Sequence, residues 1–120
     1  HSEDGLDEFS TCAPTNYLEI RSGEITEHRL EPDFLGLVCL DAAKLSGGDA
    51  AHNAVLIQQI LHDGEGPSAD IACLNAAAIL MVTDIADNWP DAMKLARATV
   101  ASGAAREKLI QLRGFTEQYS

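Results

Sequence analysis

Residues 15–30 read TNYLEIRSGEITEHRL, with two short runs, Tyr17–Arg21 and Glu24–Leu30, on either side of Ser22-Gly23. Leu18 and Ile20 alternate with Glu19 and Arg21, the period of two that marks a half-buried strand with its apolar side chains on one face. Glycine reaches positive φ without steric cost, so Ser22-Gly23 predicts a tight hairpin turn between two antiparallel strands. EPDFLG at 31–36 then predicts a Pro-Asp turn or a short helical turn closed by Gly36.

From Leu45 onward the pattern turns helical. Gly47-Gly48-Asp49 precedes AAHNAVLIQQILHDG, in which Ala54, Ile57, Ile60 and Leu61 recur at helical spacing. Asp49 is a candidate N-cap and Gly64 a C-terminal stop, followed by Pro67. A second helix starts near Ser68 and runs through DIACLNAAAILMVTDIAD, apolar nearly all round, as expected of a buried helix. The third follows Asn88-Trp89-Pro90-Asp91, where a cap residue, a first-turn proline and an early acid coincide. It presents Met93, Leu95, Ala96 and Val100 and ends at Ser102-Gly103. A fourth, AAREKLIQLRGF, places Leu109 and Leu112 inward and Glu107 and Arg113 outward.

The organisation is α/β: a β-hairpin region, then about four helices. One hairpin with helices beside it makes a poor complete sheet. The apolar second helix also asks for partners on several faces. Residues 1–120 therefore read as the back end of a larger α/β unit whose main strands lie upstream, and the start at His1 in place of methionine agrees with that expectation.

Composition narrows the function. Nineteen Asp and Glu against eight Lys and Arg leave a net charge of −11, a field that repels polyphosphate backbones, so nucleic acid is not an expected partner. An acidic chain still binds phosphate compounds when a divalent cation stands between the two sets of negative charge. Cys12, Cys39 and Cys73 are odd in number, widely spaced and beside apolar residues, which predicts reduced, buried thiols. No apolar run reaches the length of a membrane span and no basic-then-apolar signal segment occurs, so the expected location is cytoplasmic.

The chain opens HSEDGLDEFS, with Glu3, Asp4, Asp7 and Glu8 around Gly5 and Leu6. Adjacent acids in a loop, such as Asp7-Glu8, suit Mg²⁺, which keeps several waters and takes one or two carboxylates plus substrate phosphate oxygens. On spacing alone a solvated acidic loop is the favoured reading, because short acidic motifs often match by chance. Gly47-Gly48-Asp49 reads as a turn and N-cap in preference to a phosphate loop, since Asp49 would repel phosphate. Asn75, inside the apolar helix, needs hydrogen-bond partners and reads as a cross-link to a neighbouring backbone. Of the histidines only His1, beside the acidic loop, invites a functional role, and no covalent nucleophile is indicated.

HSEDGLDE resembles the His-(Gly/Ser)-x-x-Gly-(Leu/Met/Ile)-Asp-Glu segment of the anthranilate phosphoribosyltransferases. The likeness continues through APT at 13–15, YLEIRSGEITEHRLEPDFLGL, GGDAAHNA at 47–54, LNAAAIL at 74–80 and SGAAREKLIQL at 102–112. It implies part of a phosphoribosyltransferase/nucleoside-phosphorylase-like catalytic domain: its C-terminal part, without the N-terminal helical domain and the Gly-rich diphosphate loop. It also implies an enzyme of tryptophan biosynthesis that transfers 5-phosphoribosyl from 5-phosphoribosyl 1-diphosphate to anthranilate with release of pyrophosphate. By position, Asp7 and Glu8 would hold Mg²⁺, Glu8 bridging two ions. The full-length enzyme is expected to be a homodimer, and this stretch alone is expected to be inactive. Alternatives are a pyrimidine nucleoside phosphorylase-like relative, a non-catalytic binding module of the same fold, and a freestanding helical interaction protein.

Overall fold

The hairpin forms where the alternating residues predict it. In the computed structural model, which describes residues 1–39 and 42–118, β1 (Thr15–Arg21) pairs antiparallel with β2 (Glu24–Leu30), from Thr15↔Leu30 to Arg21↔Glu24. Ser22 and Gly23 have φ of 54° and 84°, the twin positive angles of a two-residue turn whose twist matches the strands. Outside β1, His1 and Ser2 run along its free edge: the Ser2–Thr15 bridge and the bond from the Asn16 N–H to the His1 carbonyl (3.1 Å) place the chain start against the hairpin.

Beyond β2, short 3-10 turns at Pro32–Leu35 and Ala42–Leu45 lead into α1 (Ala50–Asp63), α2 (Pro67–Val82), α3 (Trp89–Ala101) and α4 (Ala104–Glu117). The expected boundary chemistry is present. Asp49 caps α1 through the His52 N–H at 2.8 Å, Gly64 ends it in the left-handed region, and Asn88 caps α3 through the Asp91 N–H at 2.9 Å. Gly36 closes the first 3-10 turn in the same left-handed conformation. The result is an α/β arrangement, and no described helix is long and apolar enough to cross a membrane.

The core lies where α2 and α3 meet the end of β2. Cys73, Leu74 and Ala77 from α2 face Trp89, Ala92, Met93 and Ala96 from α3, with Leu30 and Leu37 closing one side. Small residues on both helices permit close approach, and dense contact of this kind carries most of the stabilisation.

Several faces differ from expectation. Leu18 and Ile20 are 62% and 72% exposed, whereas Tyr17 and Glu19 on the opposite pleat are half-buried. The period of two is therefore correct and the inward face is the other one, because Tyr17 is the side chain that meets the core. In α1, Ala54 and Ile57 are exposed while Leu56, Ile60 and Leu61 are half-buried; in α4, Leu112 is exposed and Leu109 is half-buried. In α3, Trp89 and Ala92 are buried and Leu95 lies partly exposed. Helix α2 buries one face only, with Ile79 and Val82 exposed. Periodicity gives the stripe, but the neighbour selects which edge of the stripe is covered.

The thiols also depart from expectation. Cys12 and Cys39 form a disulfide, with Cα atoms 4.7 Å apart, and only Cys73 is free and buried. Their separation of 27 residues spans the hairpin, whose antiparallel return brings its two flanks together; spacing in sequence does not show that closure. Burial pushes the Cys73 thiol up, so it stays protonated and inert.

The packing predicts a sharp contrast along one helix. Leu74, fully buried, should lose about 2–5 kcal/mol on Leu74→Ala. Val82→Ala, at a position 80% exposed, should change stability by no more than about 0.5 kcal/mol in the same urea unfolding series.

Candidate functional site

The opening loop is built on buried hydroxyls. Ser2, Ser10, Thr11 and Thr15 are all buried, and buried polar groups require partners. Thr15 Oγ1 accepts from the Ser10 N–H at 3.2 Å, and Ser10 Oγ accepts from the Cys12 N–H at 2.9 Å. Ser2 Oγ donates to the Pro14 carbonyl at 3.3 Å, and the Glu3 N–H reaches the same carbonyl at 2.9 Å. The Ser2 N–H donates to the Leu6 carbonyl at 2.9 Å, folding residues 2–6 into a turn that passes through Gly5 at φ 96°.

This framework divides the four acids into two pairs. The first pair is engaged. Glu3 forms an ion pair with Arg29, which also holds Glu31 at 2.7 Å. The Arg29 hydrogen bond keeps the Glu3 carboxyl below its ordinary range, against the opposing cost of desolvation. Asp4 Oδ2 accepts the Ser10 hydroxyl at 2.6 Å and Asp4 Oδ1 accepts the Leu6 N–H at 3.3 Å. That hydroxyl is the main reason the Asp4 carboxyl is held below the usual aspartate range.

The second pair, Asp7 and Glu8, projects into solvent. The Asp7 side chain is 98% exposed, and His1 Nδ1 lies 4.0 Å from its Oδ1. Glu8 is exposed, and no hydrogen bond or ion pair engages its carboxylate among the described residues. Leu6 and Phe9 fasten the two ends of this short exposed segment.

Phe9 provides the second fastening. Its ring lies edge-on to Tyr17 (5.1 Å between centroids) and to Trp89 (4.8 Å), and Trp89 Nε1 donates to the Tyr17 hydroxyl at 3.1 Å. Aromatic contacts of this geometry contribute about 0.5–1.5 kcal/mol each beyond area burial. The Phe9 backbone is held by Asn75, so the amide does cross-link helix to neighbouring backbone.

The donor set suits a hard cation that keeps much of its own hydration. Two free neighbouring carboxylates supply oxygen ligands only, as Mg²⁺ prefers. Among the described residues no three or more His, Cys, Asp or Glu side chains gather to enclose a metal. Among the described residues the pair does not form a closed protein cage, and an ion held there would need further oxygen ligands from water or another molecule. The other candidate residues have simpler roles. Gly47-Gly48-Asp49 is a turn and cap, with the Gly48 N–H donating to Asn53 Oδ1 at 2.8 Å. His28 stacks on Tyr17 at 5.1 Å, with Nε2 3.1 Å from Glu19 Oε2 but outside hydrogen-bond geometry. A groove of about 660 Å³ between Tyr17–Ser22 and the end of α2 includes neither Asp7 nor Glu8.

The residues missed by sequence reasoning are those that hold the loop: Ser10, Phe9 and Arg29. Asn75 alone left a signal, as an amide within an apolar helix. Nothing in the order of the letters separates Glu3 and Asp4 from Asp7 and Glu8.

Comparison with known proteins places these features in context. Residues 1–106 match the family described as "Glycosyl transferase family, a/b domain". Anthranilate phosphoribosyltransferase 2 of Streptomyces coelicolor is 45% identical over 105 residues, covering 88% of this chain and 31% of that protein. Anthranilate phosphoribosyltransferase of Thioalkalivibrio sulfidiphilus is 42% identical over 116 residues, covering 97% and 34%. The crystal structure of anthranilate phosphoribosyltransferase from Thermus thermophilus superposes with a TM-score of 0.75 at 28% identity, over 90% of this chain and 32% of that one. The chain thus spans about a third of the length of the relatives it matches.

The Asp4–Ser10 bond has a measurable consequence. Because the folded-state pKa of Asp4 is depressed, its contribution is present above the ordinary aspartate range and is lost as pH falls through the lowered value. In a carboxyl-carbon NMR titration, Asp4 should titrate below the usual aspartate range, and Ser10→Ala should move it upward.

Proposed function

The chain belongs to the glycosyl transferase family whose a/b domain it matches, and on that premise we propose that it forms part of an anthranilate phosphoribosyltransferase. The reaction joins the amino group of anthranilate to 5-phosphoribosyl 1-diphosphate and releases pyrophosphate, a step of tryptophan biosynthesis. The observation that carries this reading is the division of the acidic loop: Glu3 and Asp4 are consumed in holding it, while Asp7 and Glu8 remain free at its surface.

In the reaction the ribosyl C1–O bond breaks and its electron pair leaves with the diphosphate. The anthranilate nitrogen forms the new bond to C1 and gives up a proton. Asp7 and Glu8 would hold Mg²⁺, which would supply positive charge for the leaving diphosphate. The chain's own contribution is positional: the turn at residues 2–6 and the seat of Phe9 carry both carboxylates on a fixed length of backbone. Holding charge in place before reaction avoids reorganisation during it.

On this reading residues 1–120 would form the C-terminal part of the a/b domain, with the helical domain and the Gly-rich diphosphate loop preceding it in the longer polypeptide. Anthranilate and the sugar diphosphate are small-molecule partners of the longer polypeptide, which forms a homodimer. A cytoplasmic location goes with this metabolic role, although the cysteines no longer argue for it, since two of the three are paired.

Two measurements test the proposal. Calorimetric titration of the chain with pyrophosphate should show binding only when Mg²⁺ is present, and the Asp7→Asn/Glu8→Gln variant should lose that dependence. Equal Mg²⁺-dependent binding by the variant would overturn the assignment. Anthranilate fluorescence, followed with the chain and the sugar diphosphate, should stay constant, because about two-thirds of the relatives' length is not represented; steady consumption would contradict the expected inactivity.

A further inference from the structure

Asn75 uses its amide more fully than a simple helix cross-link requires. Its Oδ1 accepts from the Phe9 N–H at 3.0 Å, and its Nδ2 donates to the Phe9 carbonyl at 2.9 Å and to the Ile71 carbonyl at 3.0 Å. The first two bonds grip a single residue at both of its backbone groups, the arrangement a partner strand normally provides. The third directs the amide from within its own helix, one turn back. An amide alone satisfies this set, because a carboxylate at the same position accepts but does not donate.

The gripped residue directly follows Glu8. The Phe9 N–H shares a peptide plane with the Glu8 carbonyl, so holding that N–H in direction also holds the plane that ends Glu8. The ring of Phe9, set edge-on to Tyr17 and Trp89, opposes rotation of the same residue. Asn75 lies in α2 between the buried Leu74 and Ala77. The exposed Asp7-Glu8 segment is thereby tied to a helix packed in the core, 66 residues away in sequence.

We propose that Asn75 is a positioning residue, which sets the direction of the Asp7 and Glu8 carboxylates for a divalent cation by clasping the backbone of Phe9. The inference rests on reading Asp7 and Glu8 as cation ligands. Outer-shell residues of this kind act on affinity through the orientation of the ligands they hold.

The test uses the chain with Mn²⁺ as a paramagnetic stand-in for Mg²⁺ and pyrophosphate as the phosphate partner. Free Mn²⁺ is read by electron paramagnetic resonance, and the Phe9 amide by hydrogen exchange. Asn75→Leu keeps a helix-forming residue in α2. It should expose the Phe9 amide to exchange and weaken Mn²⁺–pyrophosphate binding by about tenfold or more, with unchanged far-ultraviolet circular dichroism. Asn75→Ala serves the same purpose should the leucine variant fail to fold. Asp49→Ala, which removes the α1 cap far from the loop, should leave Mn²⁺ affinity as it was, separating positioning from general loss of stability. Parental affinity in a folded Asn75 variant, with Asp7→Asn/Glu8→Gln still losing the ion, overturns the role of Asn75 and leaves the cation reading intact. Failure of the parent chain to bind Mn²⁺ with pyrophosphate, or equal binding by the double variant, overturns both.

Discussion

The seat of Phe9 is the contact on which the geometry of the acidic loop depends. Its ring closes against Tyr17 from the hairpin and Trp89 from the start of α3, and its backbone is held by Asn75 from α2. Three elements distant in sequence thus meet at one residue of an irregular segment. A loop has no ladder of its own to satisfy its amide and carbonyl groups. Here a helix supplies the two missing partners and a small aromatic cluster excludes the alternative orientations. Remove either half and the segment has no reason to favour one path.

The same economy governs the rest of the loop. Four small hydroxyl-bearing residues are buried beneath it; the bonds of Ser2, Ser10 and Thr15 run to backbone groups and to the Asp4 carboxylate, and Thr11 Oγ1 lies 3.9 Å from Cys12 Sγ. A buried hydroxyl that is paired costs little, whereas one left unpaired costs on the order of 1–3 kcal/mol. Charge is spent with similar selectivity. Arg29 bridges Glu3 and Glu31 and so fastens the loop to the second strand and the turn after it. Arg21 does the same on the other side of the hairpin, reaching Asp84 beyond α2 at 2.6 Å. The Cys12–Cys39 disulfide adds a covalent tie between the two flanks of the hairpin. None of these attachments engages the Asp7 or Glu8 carboxylate.

Apolar surface tells the complementary story. Leu18, Ile20 and Ile25 on the hairpin and Ile79 and Val82 on α2 are exposed within the described structure. A two-stranded hairpin is marginal by itself, and larger sheets gain from further strands. The chain covers about a third of its relatives' length, and the family match extends over most of it. Leu18 and Ile20 on the hairpin and Ile79 and Val82 on α2 were expected to be covered, while the observed core is the smaller region where α2 meets α3.

What could be read from the letters was local. Alternation over 17–21, the Ser22-Gly23 turn, the caps at Asp49 and Asn88 and the stop at Gly64 all depend on neighbours within a few residues, and each forms as expected. The odd polarity of Asn75 was legible for the same reason. The inward face of β1, the pairing of Cys12 with Cys39 and the division of the four acids were not. Each depends on a residue from a distant part of the chain: Trp89 against Tyr17, the hairpin's return beside Cys12, Arg29 on Glu3 and Asn75 on Phe9. Side-chain chemistry limits what a residue can bind, but only the folded chain decides which partner arrives first and which group is left free.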